Sequence, residues 1–332
     1  MPGVIPLSGL QIGVETVAGT GVATTYEMYP DNTGYIDPGY SFSMHEGAQR
    51  GTYSNITHNT KMTEAPTVSY RSESTHGTTF DELVVPFSFL LGAQTGTGTD
   101  DDKTWTFTPA QTSHTFDTYT LNAFDATQCY EVDYGVATGF SLSAGFDDLT
   151  QLSMDLVGQG IAKTSVDAVS ANNAVKIPSS TWSVKYAAAQ ASLSGASILA
   201  NTLRSFSLDI DTGLRPRWYG DATYGFGQVV ASENLGGTLQ MTWDSTADAV
   251  TQYDNHVAGT VSFFSLINTG PTLGGSNYSA SIDLAVLWDS VEPIGSESDG
   301  VIEYNMTGSL VYDATWTNSI VATIVNSIAA LP

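Results

Sequence analysis

The sequence predicts a mainly β protein built from antiparallel sheets. Three observations predict this class: apolar and polar residues alternate in many short segments, turn-forming residues separate these segments, and charged residues make up only 13% of the 332 residues. Thr, Ser, Gly and Asn take the place of charged residues, and this composition suits strands and turns better than helices. Hydrophobic residues make up 41% of the chain, enough for the core of one large or two medium domains.

The strongest alternation lies near the middle of the chain, at residues 138–160 (TGFSLSAGFDDLTQLSMDLVGQG). It predicts two strands joined by a turn at 146–148. On the second strand the apolar side chains are Leu152, Met154 and Leu156. The polar side chains between them are Gln151, Ser153 and Asp155. Because successive side chains of a strand point to opposite faces, the apolar face is expected in a core and the polar face in water or against a polar partner. A one-residue error in register would exchange the two faces.

The other elements of the first half follow in chain order. Residues 1–30 form a Pro- and Gly-rich arm that is expected to become ordered against another element. The polar segment at 46–64 is expected to be an extended functional loop between two strands. Acidic residues followed by an apolar run predict a short helix at 80–91, which Pro86 interrupts. Strands are predicted at 40–45, 66–70, 105–109, 115–124 and 129–134.

The second half of the chain repeats this order of elements. Residues 205–208 (SFSL) echo residues 41–44 (SFSM), and a helix-like segment at 246–256 takes the place of the first helix. Further strands are predicted at 180–186, 238–243, 260–267, 278–287, 301–312 and 319–325. The repeated order predicts an internal duplication. Its parts are a first module with the N-terminal arm at 1–160, a connector at 161–200 and a second module at 201–332. The alternative is that any long β protein shows such echoes.

The charge balance is strongly acidic, with 34 acidic residues against 10 basic ones and a formal net charge of −24. This balance argues against nucleic-acid binding through a basic surface. An acidic surface still suits a channel through which DNA slides without sticking, because like charges repel. The acids are mostly Asp (23), against five Lys. High Asp with low Lys is also typical of proteins that work in strong salt, so a halophilic source is one interpretation.

No GxSxG, Walker, HExxH or paired-Cys motif occurs in the sequence. One acidic run could bind a hard cation: Asp100, Asp101 and Asp102. It lacks the alternating ligand spacing of a calcium loop, and a solvated loop is the alternative. The pairs Asp147/Asp148 and Asp209/Asp211 could be catalytic carboxylates, but no acid–base partner accompanies them. We therefore expect a protein that is not an enzyme and that uses no cofactor and no metal.

The single cysteine, Cys129, excludes an intrachain disulfide and is expected to be a small core residue. The first residues lack the basic and apolar regions of a signal peptide, and no apolar run approaches the length of a membrane span. These features predict a protein made in the cytoplasm without a membrane anchor.

Several segments resemble the major tail tube protein of long, non-contractile tailed viruses of the siphovirus type. Residues 11–30 (QIGVETVAGTGVATTYEMYP) resemble the family's opening pattern G-x-E…G-T-x-V-A-x-T, and residues 138–160 resemble its closing pair of strands ending in V-G-x-G. Residues 205–221 with 231–243 resemble its second-half strand, loop and strand. Residues 299–313 (DGVIEYNMTGSLVYD) and the segment IVATIVNS resemble its last strands. Together they are spread along most of the chain, from residue 11 to residue 327, and the Asp-rich composition would fit a virus of a halophilic archaeon.

The resemblance implies two tandem tail-tube modules, each an antiparallel β-sandwich with a flanking short helix. Subunits would join their sheets edge to edge into a ring whose inner wall is a β-barrel. Stacked rings would form the virion's tail tube, which conducts genome DNA during ejection without binding it specifically. With two modules per chain, three chains would close a pseudo-sixfold ring, which is favoured over a hexamer. Other tail proteins would bind at the tube ends.

The resemblance also points to particular residues. The lumen-facing candidates are Gln151, Ser153 and Asp155. The inter-ring contact candidates are Tyr53, Arg215, Arg217, Trp218, Tyr219, Tyr224 and Phe226. In so acidic a protein, the cluster formed by Arg204, Arg215 and Arg217 is expected to pair with carboxylates of a neighbouring subunit. Two alternatives stay open: a surface-layer or pilin-like extracellular assembly protein, and a carbohydrate-binding or glycosidase β-sandwich.

Overall fold

The fold consists mainly of antiparallel strands, as the sequence predicts. The computed structural model describes residues 8–28, 30, 36–46, 56–72, 77–91, 94, 96–99, 102–109, 116–125, 127–146, 148–169, 175–220, 225–231 and 235–331. The α-helices in these ranges are α1 (Val84–Leu91) and α2 (Ala247–Ala258). The strands of the first half are β1 (Gly9–Val14), β2 (Tyr26–Met28), β3 (Ile36–Asp37), β4 (Ser41–Glu46), β5 (Ile56–Thr63), β6 (Thr67–Arg71), β7 (Thr97–Thr99), β8 (Asp102–Phe107), β9 (Tyr119–Phe124), β10 (Cys129–Gly145), β11 (Gln151–Val157) and β12 (Gly160–Thr164). Those of the second half are β13 (Trp182–Ala187), β14 (Leu203–Asp211), β15 (Leu214–Arg217), β16 (Gln228–Ala231), β17 (Gly236–Asp244), β18 (Ser262–Leu273), β19 (Ser276–Ser298), β20 (Val301–Leu310) and β21 (Ile320–Asn326).

Eight strands form one antiparallel sheet, which we call the long sheet. Its strand order is β3–β6–β11–β10–β14–β17–β20–β19. The predicted hairpin at 138–160 is confirmed as β10 and β11, which lie near the middle of this sheet. The two halves of the chain meet where β10 pairs with β14, in seven residue pairs from Gly139↔Asp211 to Gly145↔Ser205. We call this pairing the seam.

Two smaller sheets cover the apolar face of the long sheet. The first outer sheet has the order β2–β1–β9–β10–β12, and the second has the order β13–β18–β19–β21–β8–β7. Strands β10 and β19 each pass from an outer sheet into the long sheet. Residues 129–135 of β10 pair in the first outer sheet, and the rest of β10 pairs in the long sheet. In the same way, β19 pairs with β18 up to Val286 and with β20 from Val286 onward.

The two halves use equivalent strands in equivalent places. Strand β19 occupies in the second half the place of β10 in the first, and β20 and β17 correspond to β11 and β6. Strand β13, at 182–187, pairs with β18 as β1 pairs with β9. The predicted connector at 161–200 therefore contains a strand of the second outer sheet. One strand of the first half also belongs to the sheet of the second half, since β8 pairs with β21.

The echo between residues 41–44 and 205–208 does not mark equivalent positions. Residues 205–208 lie in β14 of the long sheet, whereas Ser41–Glu46 forms β4, which pairs with β5 in a separate two-stranded sheet. The strand beside β6, at the place β14 takes beside β17, is β3. Gly39, with φ of +58°, turns the chain between β3 and β4, and its N–H donates to Asp37 Oδ1 at 2.9 Å.

The core lies between the long sheet and the outer sheets and runs through both halves without a break. Aromatic rings join the layers: Phe87 of α1 packs 5.2 Å from Phe140 of β10 and 5.9 Å from Phe107 of β8. In the second half, Trp243 of β17 packs edge-on against Phe264 of β18. The alternating side chains of each strand thus supply one apolar face to a shared core.

A threonine caps α2, and another threonine forms a reciprocal pair of hydrogen bonds in the turn before α1. In the turn before α1, Thr79 Oγ1 accepts from the N–H of Glu82, and Glu82 Oε2 accepts in return from the N–H of Thr79. Pro86 lies in the first turn of α1, where a missing N–H costs little, so the predicted interruption does not occur. Helix α2 has Thr246 as its N-cap and Gly259, with φ of +62°, as its C-cap.

Replacing Thr246 with Ala should lower the free energy of unfolding by about 1 kcal/mol. The substitution removes the hydroxyl that accepts from the N–H of Ala249 at 3.3 Å, so an N–H of the first turn loses its partner. Urea unfolding followed by circular dichroism would measure the change. Thr251→Ala on the same helix is the matched control, because its exposed hydroxyl only donates to the carbonyl of Ala247. Equal losses in the two variants would contradict the capping role.

Candidate functional site

The exposed face of the long sheet is polar along its whole width. In β11, Leu152, Met154 and Leu156 are buried, which confirms the predicted face assignment for that strand. The intervening side chains lie on the opposite face, and the neighbouring strands continue it with Ser, Thr, Asp and Gln. The members of this polar face are Ser69, Ser141, Ser143, Gln151, Ser153, Asp155, Ser205, Ser207, Asp209, Asp211, Thr238, Gln240, Thr242, Asn305, Thr307 and Ser309.

Strand register brings three carboxylates of this face together beside the seam. Gly139 of β10 lies between Asp155 of β11 and Asp211 of β14, and Asp209 is two residues along the same strand. Gly139 has no side chain that could fill the space between these carboxylates. A Cβ at this position would lie only 2.8 Å from the carbonyl oxygen of Ile210. The result is a shallow depression of about 500 Å³ with acidic walls.

Arg215 partly neutralises this depression. Its Nη1 and Nη2 donate to Asp211 Oδ1 and Oδ2 at 3.2 and 2.8 Å, and these hydrogen bonds lower the pKa of the Asp211 carboxyl. Asp155 Oδ1 accepts from Ser69 Oγ, and Asp209 Oδ2 accepts from Ser207 Oγ. Asp155 and Asp209, which lie near the Arg215–Asp211 ion pair, keep the face acidic.

The arginine cluster does not behave as one unit. Arg204 lies within 3.4 to 3.7 Å of three carboxylates of its own chain, on Asp244, Asp299 and Glu303. Arg204 and Arg215 therefore both have carboxylate partners within their own chain, and their pairing with carboxylates of a neighbouring subunit stays a prediction. Within the described residues Arg217 has no ion-pair partner, and its guanidinium lies 5.8 Å from the centre of the Tyr219 ring.

Strands β15 and β16 form a hairpin beyond the end of β14, which we call the basic hairpin. Phe226 is fully buried in a small cluster with Val136, Val157, Leu214 and Val229. It anchors the basic hairpin to the sheet and offers no surface of its own, which corrects its assignment as a direct contact. The polar sequence around Phe226 hides this role, because two of the partners that bury it, Val136 and Val157, lie on β10 and β11.

The remaining inter-ring candidates differ in what the structure says of them. Trp218 and Tyr219 are 43% and 40% exposed at the end of β15, and Arg217 is exposed beside them. Trp218 packs edge-on against Phe226 at 6.3 Å, which fixes the exposed ring to the buried one. Tyr53 and Tyr224 lie outside the described residues. The inter-ring role stays a prediction.

A second group of acids lies on the first outer sheet. Burial raises the pKa of Glu131, and nearby Asp133, Asp167 and Glu15 raise it further. Burial likewise raises the pKa of Asp133. Glu15 accepts from Thr118 Oγ1 and from the N–H groups of Gly19 and Tyr134, which fixes the loop after β1 over this sheet.

Replacing Glu131 with Gln should stabilise the protein at neutral pH and leave it unchanged in acid. Because the folded pKa lies above the ordinary value of 4.5, the folded state holds a proton that the unfolded state releases, and stability falls as pH rises above about 4.5. The amide removes this loss. Thermal melts at about pH 4 and pH 8 would measure it. Parallel curves for variant and wild type across this range would contradict the assignment.

The other candidate sites have ordinary structural contacts. Asp102 Oδ1 accepts from Ser276 Oγ at 2.6 Å, while Asp100 and Asp101 lie outside the described residues. Asp148 Oδ1 accepts from the N–H of Leu149 in the β10–β11 turn, and Asp147 is not described. Cys129 is buried, and burial raises the pKa of its thiol to about 11. In the described part of the chain, no group of three or more His, Cys, Asp or Glu is placed to hold a metal ion.

An open polar sheet face, a seam that joins two half-sheets and hairpins at the ends of the sheet are features of an assembly subunit. The family model described as phage tail tube protein matches residues 7–316. The chain belongs to this family. No curated protein matches the chain.

The tail tube protein is a structural component of the virion. Members of the family assemble with copies of themselves and with other tail proteins into the tube. The family match therefore favours a structural role over a catalytic one. Neither helix in the described ranges is long and apolar enough to cross a membrane.

Sequence reasoning missed one prominent part of this tail tube protein. Strands β19 and β20 continue past the end of β17 as a two-stranded ribbon at residues 292–303. Asp299 and Gly300, with φ of +54° and +79°, form its two-residue turn. The signal was present, since an Asp-Gly pair between strand-forming residues is a strong hairpin pattern. We call this element the acidic ribbon.

Proposed function

We propose that the protein polymerises into stacked rings that form the tail tube, with the polar face of the long sheet lining an acidic conduit for genome DNA. The single observation that carries the proposal is the seam. There, two half-sheets join edge to edge through seven residue pairs, with both apolar faces on the core side. A joint of this kind between chains would extend the same wall around a ring.

The long sheet has the open edges that such a joint needs. At one lateral edge of the sheet, β19 from Leu287 onward pairs with β20 alone among the described strands. At the other lateral edge, β3 pairs with β6 alone among the described strands. Because β19 corresponds to β10 and β3 to β14, pairing of β19 with β3 of the next copy would repeat the seam. Closing the edges in this way would also remove strand edges that otherwise promote aggregation.

Ring size follows from the duplication. If each half acts as one tube module, three chains would close a ring with pseudo-sixfold symmetry, which we favour over a hexamer of chains. The modules we propose are those predicted at 1–160 and 201–332, with the 161–200 connector contributing β13 to the second. Other tail proteins would close the ends of the stack.

The lining of the proposed conduit explains the charge of the protein. The candidates that face the lumen are Gln151, Ser153 and Asp155, together with the acids beside the seam. DNA phosphates would be repelled from an acidic wall, so the genome would pass without binding specifically. The net charge of −24 and the high Asp content also fit a virus of a salt-loving host, which we propose as the source.

Negative-stain electron microscopy of the purified protein at high and low salt tests the proposal. Hollow tubes with a regular axial repeat, or rings with pseudo-sixfold symmetry, are the expected result. Mass photometry of the rings would count the chains. Monomers at every salt and protein concentration would overturn the proposal, and six chains per ring would overturn the trimer.

A further inference from the structure

The basic hairpin and the acidic ribbon lie at opposite ends of the strands of the long sheet, not at its two lateral edges. Strand β14 runs from Ser205, level with Gly145, to Asp211, and the basic hairpin begins after Asp211. Strand β20 enters the sheet from the acidic ribbon and pairs with Asp244 at the opposite end of β17. The strands between them span seven residues, or roughly 20 Å.

One end of the sheet is basic and aromatic. Arg217 is exposed with no ion-pair partner in the described ranges, and Trp218 and Tyr219 stand beside it. The buried Phe226 and the intrachain pair of Arg215 with Asp211 fix the base of the basic hairpin. The exposed side chains of Arg217, Trp218 and Tyr219 thus extend from a base that is anchored to the sheet.

The opposite end is acidic and aliphatic. In the acidic ribbon, Ile294 is 79% exposed, and Val301 and Ile302 are also exposed. Glu292 and Glu297 are exposed beside them. No Lys or Arg follows Arg217 in the sequence, so the acidic ribbon contains no basic side chain of its own. Arg204, from β14, contacts the base of the ribbon at Glu303 and its turn region at Ser298 and Asp299.

We propose that the basic hairpin of one copy binds the acidic ribbon of a second copy in the next ring. A stack that repeats without closing needs two different surfaces at its two ends, and these surfaces must complement each other. Here Arg217 faces Glu292 and Glu297, and the rings of Trp218 and Tyr219 cover the exposed aliphatic side chains. The contact deepens the proposed function and rests on it. The occupant of each surface is the same chain.

Charge reversal tests the contact. Arg217→Glu should raise the protein concentration needed for tube formation by about tenfold or more at low ionic strength, because like charges then meet. Rings should persist. The double substitution Glu292→Lys and Glu297→Lys should have the same effect alone and should restore tubes when combined with Arg217→Glu. Pelleting measures the stacking of rings into tubes, and mass photometry measures the formation of the rings themselves.

A control variant isolates the position of the charge. Lys163→Glu makes the same charge change on an exposed residue of β12, which belongs to the first outer sheet and to neither the basic hairpin nor the acidic ribbon, and should leave tubes unchanged. Normal tubes from Arg217→Glu, or no rescue by the combined variant, would overturn the inference while the ring proposal stands. Wild-type protein that forms neither rings nor tubes would overturn the ring proposal itself.

Discussion

Trp243→Ala should destabilise the subunit by about 3–5 kcal/mol, enough to threaten folding. Trp243 lies in β17, in the middle of the second half of the long sheet, and its side chain is fully buried. Its ring packs edge-on against Phe264 at 5.9 Å and so joins the long sheet to the second outer sheet. Alanine would leave a cavity that β-strands paired on both sides cannot collapse to fill. Urea unfolding of the isolated subunit would measure the loss.

A matched variant distinguishes the packing of the aromatic ring from the effect of its unpaired N–H. The indole N–H of Trp243 has no hydrogen-bond acceptor among the described residues, so its burial already costs free energy. Trp243→Phe keeps an aromatic ring and removes this N–H, and should cost about 1–2 kcal/mol, well below the alanine variant. Equal losses for Phe and Ala, or an alanine variant within about 1 kcal/mol of wild type, would contradict the packing argument.

Alternation along the strands could be predicted from the sequence because burial on one face has a period of two. The hairpin at 138–160 and the strands β13 and β17 to β21 follow from this pattern, whereas β15 and β16 were not predicted. Both helices were predicted from other signals, an apolar run after acidic residues for α1 and the repeated order of elements for α2. The pattern does not show which sheet a strand joins. Strand β19 has 23 residues and serves two sheets, and only its first part was predicted as a strand.

The features that the sequence did not predict have identifiable physical causes. Residues 41–44 match residues 205–208 in sequence, but a left-handed turn at Gly39 moves them out of the long sheet. Phe226 reads as an exposed loop aromatic because its burial depends on β10 and β11, about 70 to 90 residues earlier in the chain. Intrachain partners for Arg204 also come from distant strands, at Asp244 and Glu303. Single-sequence patterns carry no information on such contacts.

Helix α2 carries an exposed apolar stripe beside the open edge of β19. Its members, Val250, Tyr253 and Val257, are 45%, 39% and 69% exposed. The helix is fixed to β19 by two contacts of Trp288, whose Nε1 donates to Gln252 and whose carbonyl oxygen lies 2.9 Å from His256 Nδ1. The stripe is therefore next to the edge at which the proposed ring closes.

The counterpart of this stripe, on α1 and the turn before it, is buried. The hydroxyls of Thr79 and Thr246 each accept from the N–H three residues later. When the sequence is aligned on these two threonines, Leu83 corresponds to Val250 and Pro86 to Tyr253. Leu83 and Pro86 are both buried. The second half covers the turn before α1, where Phe80 packs 5.6 Å from the Tyr278 ring and its carbonyl accepts from Asn326. A neighbouring copy that repeats the seam would cover α2 in the same way.

Val250→Asp combined with Tyr253→Asp should therefore abolish ring closure and leave the subunit folded. Each side chain is exposed in the free subunit, so the unfolding free energy should change by no more than about 0.5 kcal/mol per site. Two charges buried without partners at the interface should weaken ring formation by about a hundredfold or more. Mass photometry measures the rings, and thermal melts check the fold. Thr251→Asp adds charge to another exposed side of α2 and should leave rings intact. Rings from the double variant at wild-type concentrations would show that the stripe lies outside the interface.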